Sequence, residues 1–134
     1  MPPERVLLYH ALAVTIGLAT FFGSLIIHGL EISDMARALQ REVFDVGPYW
    51  YFGLPVCYLA AGLLGYLGPV RSWRWSLEMI GTQMVGMLLF TGSSLNLWPL
   101  ALVFGLALAL PGILTAWLGA LVYRFRAAMQ QSAR

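Results

Sequence analysis

Arg71 to Pro99 reads RSWRWSLEMIGTQMVGMLLFTGSSLNLWP. Arginine and tryptophan mark its start, Trp98 and Pro99 mark its end, and the residues between are mostly apolar. A helix needs about 20 such residues to cross a bilayer. The same stretch carries Glu78, the only carboxylate inside any apolar run of the chain, together with Thr82, Gln83, Ser93 and Ser94. Polar side chains at that depth must face protein or water rather than lipid. The stretch therefore predicts a transmembrane helix with a polar face turned into a bundle.

Composition extends the same reading to the whole chain. Of its 134 residues 60% are hydrophobic and only 10% charged, where a soluble domain carries roughly 25% charged residues. That is too little polar surface to cover a water-facing globule, which removes the soluble enzyme classes and predicts a single integral membrane domain over residues 1–134. All eight cations are arginines, which points to a GC-rich bacterial source. They flank the apolar runs, where topology accounts for them, so the net charge of +2 implies no nucleic-acid partner. Cys57 is the only cysteine and lies in an apolar run. It can form neither an internal disulfide nor a redox pair, and reads as a buried structural thiol.

Four spans are predicted. The first, Val6–Leu30, is 25 residues long, beyond the roughly 7–15 of a signal core, and no small-residue cleavage site follows it. It reads as a retained span with a face of small residues, Ala13, Gly17, Thr20 and Ser24. The second, Tyr49–Val70, opens on an aromatic cluster suited to the membrane–water interface. Gly53, Cys57, Ala61 and Gly65 then recur every four residues, a spacing that lets helix backbones approach closely. Packing within the chain is the simpler use of that stripe, and a homodimer face is the alternative. The third span covers 75–97. On it Thr82 and Ser93 fall within about 60° of Glu78, with Gln83 and Ser94 in a second lane. The fourth, Trp98–Tyr123, contains Pro111, which should loosen the turn over Ala107–Leu110, and the basic tail beyond it is expected to fray. Between the first two spans, Glu31–Asp45 places Ile32, Met35, Leu39 and Val43 on one helical face and charges on the other. It predicts an amphipathic helix of about four turns in the interface or across the mouth of the bundle.

Arginines fix the orientation. Four spans put Arg5, Arg71, Arg74, Arg124, Arg126 and Arg134 on one side and only Arg37 and Arg41 on the other. The positive-inside rule then places both termini in the cytoplasm of a bacterium, with the protein in its inner membrane.

Few residues offer chemistry. Glu78 lies one turn inside Trp75, where the helix dipole favours an acid, so a structural carboxylate is the first reading and a functional one the second. His10 and His28 lie 18 residues apart on one span, about 27 Å, so one chain cannot bring both to one haem. No His, Cys, Asp or Glu spacing matches a metal site, and no motif for phosphate binding or nucleophilic catalysis is present. No cofactor and no metal are expected. His10 and Glu78 lie at nearly equal depth from the same side, which predicts a polar pair joining the first and third spans.

These features predict a small non-enzymatic inner-membrane protein, an accessory or scaffolding subunit whose partners are the lipid bilayer and a larger membrane complex. The alternative is a small homo-oligomeric transporter or channel working through Glu78. In length and span count the chain resembles the small multidrug resistance transporters. That family's working carboxylate lies mid-span in the first helix, where this chain has no acid, so no residue role carries over. The strong arginine bias also disfavours a dual-topology dimer.

Overall fold

The computed structural model describes residues 3–41, 43–90 and 98–132, and these are almost wholly helical, with no strand among them. Five α-helices follow one another: α1 (Pro3–Ile32), α2 (Met35–Leu39), α3 (Leu54–Leu67), α4 (Trp73–Phe90) and α5 (Trp98–Ser132). A 3₁₀ turn (Val43–Asp45) and a π-helical turn (Tyr49–Gly53) connect α2 to α3. Three segments, Glu4–Ile32, Tyr49–Leu67 and Pro99–Ser132, are long and apolar enough to cross a membrane.

Over its described length α4 falls short of that apolarity, and its packing gives the reason. It lies in the middle of the assembly, packed on α1, α3 and α5, and buries Trp75, Ser76, Met79, Ile80, Gln83, Met84, Gly86 and Met87. A helix whose neighbours are mostly protein can carry polar groups that a lipid-facing helix cannot. Residues 91–97 of the predicted third span, and with them Ser93 and Ser94, lie outside the described residues.

Side-chain contacts set the directions. His10 meets Glu78 and Phe22 meets Phe90, so α1 and α4 run parallel. Tyr58 meets Leu108 and Tyr66 meets Tyr123, so α3 and α5 also run parallel. Thr20 meets Cys57 and Tyr9 meets Leu67, which makes α1 antiparallel to α3. One end of the assembly therefore gathers the start of α1, the end of α3, the start of α4 and the end of α5.

Close backbone approach explains the glycines at two crossings. A methyl group on Gly17 would lie 2.7 Å from the Met79 carbonyl oxygen, where α1 crosses α4. On α3, a Cβ at Gly65 would run into the Ala116 carbonyl, and on α5 a Cβ at Gly119 would run into that of Gly62. The stripe predicted from spacing is used inside the chain, but by several neighbours. Gly53 abuts Ser24 of α1, Ala61 lies in a buried cluster that also holds Ala13 and Ala116, and Gly65 meets α5.

Pro111 sits inside α5, which stays helical through it. In the preceding turn the Leu108 carbonyl accepts from Tyr58 Oη at 2.8 Å and the Ala109 carbonyl from Ser76 Oγ at 2.9 Å. Neighbouring helices thus donate to two carbonyls in the turn before the proline.

Two expectations need correction. The segment 31–45 is not one four-turn helix. α1 runs on to Ile32, Ser33 turns the chain with φ 53°, and the Asp34 carboxylate caps a new five-residue helix by accepting from the Arg37 backbone N–H at 3.0 Å. Aspartate is among the strongest N-cap residues, and here it restarts the helix where periodicity alone would continue it. Ala38, Val43 and Val46 are then buried against the bundle. The tail does not fray either, because α5 continues to Ser132 and Arg126 donates to Tyr66 Oη at 2.9 Å.

Candidate functional site

Two polar centres lie between the helices. The first joins α1 to α4 near the end where both helices start. His10 Nδ1 is 2.8 Å from each carboxylate oxygen of Glu78, so the imidazole donates into the middle of the carboxylate. Trp75 packs edge-on against the same imidazole, its ring 5.2 Å from that of His10. The indole is fixed in turn, because Nε1 donates to the Gly68 carbonyl at 3.2 Å and Tyr9 packs edge-on at 5.9 Å. The imidazole thus has a carboxylate and an indole as its two side-chain neighbours. The pair is not sealed: the His10 and Glu78 side chains are 33% and 26% exposed. Thr82 sits one turn on, but its hydroxyl donates to the Glu78 backbone carbonyl at 2.6 Å rather than to the carboxylate.

The second centre lies deeper, and Gln83 is its hub. Its Nε2 donates to Thr20 Oγ1 at 2.8 Å and to Cys57 Sγ at 3.2 Å, while its Oε1 accepts from Tyr49 Oη at 2.8 Å. The Thr20 hydroxyl donates to the Ile16 carbonyl at 2.8 Å and lies 3.3 Å from Cys57 Sγ. Ser24 donates to the Thr20 carbonyl at 2.7 Å. All five side chains are buried, Gln83 and Tyr49 completely. The network links α1, the π-helical turn, α3 and α4. A fully satisfied polar network of this kind fixes one arrangement of helices, because every alternative leaves a buried group unpaired.

No family model, curated protein or solved structure matches the chain. Function has to be read from the side chains themselves.

The predicted lane of Thr82, Gln83, Ser93 and Ser94 does not act as a unit. Thr82 and Gln83 serve different partners, and the two serines lie outside the described residues. Sequence reasoning missed Tyr49, which it assigned to an interfacial belt. Four consecutive aromatics cannot all face outward on a helix, since successive residues turn by about 100°. Trp50, Tyr51 and Phe52 are the exposed ones and Tyr49 points in. Thr20 was visible only as one member of a small-residue face. Towards the opposite end, Tyr51 Oη donates to Glu31, and His28 Nδ1 lies 3.9 Å from the same carboxylate. Among the described residues no group of three or more His, Cys, Asp or Glu side chains could hold a metal ion.

The coupling of His10 to Glu78 can be measured. Single His10→Ala and Glu78→Gln changes and the double, compared by thermal unfolding in detergent, should be non-additive by on the order of 1 kcal/mol. Partial exposure keeps the value below that of a sealed pair. Additive losses would mean that the contact contributes nothing beyond the two separate side chains.

Proposed function

We propose that this chain is a four-span protein of a bacterial cytoplasmic membrane, with both termini inside, serving as a non-enzymatic accessory or scaffolding subunit. One observation carries the reading: the polar side chains at the core of the assembly are hydrogen-bonded to one another. Gln83 bonds Thr20, Tyr49 and Cys57, and Thr20, Ser24, Ser76, Tyr58 and Thr115 satisfy backbone carbonyls. Such groups hold helices together. They are not poised to act on a substrate.

The span beyond the three long helices, third in chain order, is α4 taken together with the apolar residues that follow it in sequence. Its parallel course beside α1 supports an up-down-up-down arrangement. Arg5, Arg71, Arg74, Arg124 and Arg126 then share one end, and Arg37 and Arg41 belong to the other, which supports the cytoplasmic assignment of the first. The segment 31–48 covers the external end of the bundle as an irregular interfacial cap. The outer walls are apolar, with Leu59, Leu63, Leu106, Leu110, Leu114 and Trp117 all exposed, and they meet lipid or a partner subunit.

A second reading, a homo-oligomeric transporter or channel working through Glu78, draws on the partial exposure of the His10–Glu78 pair. Mass measurement of the complex purified in gentle detergent separates the two. A foreign subunit in fixed stoichiometry is the expected result. A discrete homo-oligomer with nothing else bound would instead favour transport.

A further inference from the structure

α5 outruns its neighbour. Along α3 it presents Ala116, Gly119 and Ala120, but α3 ends at Leu67 while α5 continues to Ser132. At that point the stripe of α5 residues facing α3 changes from small to polar, with Tyr123, Arg126, Ala127 and Gln130 spaced so that they stay on one face. Together with Tyr66 of α3 they line a pocket of about 240 Å³. Its chemistry is one-sided. Arg126 donates to Tyr66 Oη at 2.9 Å, and the two phenol rings meet edge-on at 5.9 Å. That bond holds the guanidinium at the pocket while its remaining N–H groups, the Tyr66 hydroxyl hydrogen and the Gln130 amide stay available as donors. No carboxylate lines the pocket among the described residues.

We propose that this pocket binds the phosphate headgroup of an anionic phospholipid. Arginine with neighbouring hydroxyl and amide donors suits a phosphodiester, and the fork geometry of arginine adds directionality. Position selects a lipid over a free anion. The pocket opens where α5 leaves its long apolar stretch, at the level of two tyrosines and among the clustered arginines. Leu59 and Leu63 lie within about 60° of Tyr66 on α3, and Val122 lies about 40° from Arg126 on α5. All three are exposed and offer an acyl chain apolar surface within about two turns of the headgroup site.

The inference rests on the membrane reading above, and its test separates the two. The full chain is reconstituted into vesicles of mixed phosphatidylglycerol and phosphatidylcholine, and the lipid retained on the released protein is counted by native mass spectrometry. Phosphatidylglycerol should be retained with at least about tenfold preference, as expected for a charge-assisted contact. Arg126→Gln should abolish the preference, whereas Arg124→Gln, on the same helix but outside the pocket, should keep it. Equal retention of both lipids, equal loss in both variants, or displacement of the lipid by millimolar inorganic phosphate would overturn the proposal. Failure of the protein to float with the vesicles would instead overturn the membrane reading. Circular dichroism of both variants confirms that they remain helical.

Discussion

Gly65→Leu should prevent the chain from folding stably, and even Gly65→Ala should cost about 1–3 kcal/mol, the usual range for overpacking a close interface. The reason is backbone against backbone. A Cβ on Gly65 would meet the Ala116 carbonyl oxygen, with the carbonyl carbon at 2.7 Å and Cα at 2.8 Å. No side chain can move aside to make room, and Gly119 makes the reciprocal approach to the Gly62 carbonyl, so α3 and α5 would have to separate along much of their contact. Leu63→Ala is the right comparison, because Leu63 is exposed and surface changes usually stay within about 0.5 kcal/mol. Leu64, its neighbour, is buried in the core and would confuse the result. Thermal unfolding in detergent reads both. A Gly65→Ala protein as stable as the parent would mean that the two helices are not in this contact.

Gln83→Leu is expected to lower stability by about 1–2 kcal/mol, although it keeps volume and adds apolarity. Hydrogen bonds between membrane helices average about 0.6 kcal/mol and reach about 1.7, and a buried group left unpaired costs about 1–3. Tyr49 decides the outcome. Its hydroxyl is fully buried and donates to Gln83 Oε1, whereas Thr20 keeps its bond to the Ile16 carbonyl whatever happens at position 83. Adding Tyr49→Phe to Gln83→Leu should therefore restore most of the loss, because removing both partners of a buried bond is close to neutral. If the double variant were less stable than Gln83→Leu alone, the Tyr49 hydroxyl would be stabilising the fold through something other than its bond to Gln83, because phenylalanine keeps the ring.

The helices and their order can be read from the apolar runs, as can the small residues that let them approach. The equal depth of His10 and Glu78 follows from counting inward from the ends of two runs, but the packing of Trp75 against His10 does not, because it depends on where the turn at Gly68 places the indole acceptor. A loosened turn before Pro111 is what proline chemistry predicts, but α5 stays helical through it. That Tyr58 and Ser76 supply the donors is a matter of helix packing, which periodicity does not encode. Hydrophobic periodicity misled at one place and was overruled at another. It carried a helix through Asp34, where a side-chain cap starts a new helix, and at Tyr49 an aromatic-rich composition outweighed it, although rotation about the helix turns that residue inward. The four-residue stripe has the right spacing without revealing that Gly53, in the π-helical turn, and Gly65, in α3, meet different helices.

The central claim is that α4 and the residues after it cross the membrane beside the three long helices. Single cysteines at Gln40 and Gln130, both exposed, test it in the otherwise unchanged chain, because Cys57 is buried. With four crossings the two positions lie on opposite sides; with only the three long helices crossing they lie on the same side. An impermeant thiol reagent added to intact cells should label position 40 and label position 130 only after the membrane is opened. Labelling of both positions on intact cells would contradict the account.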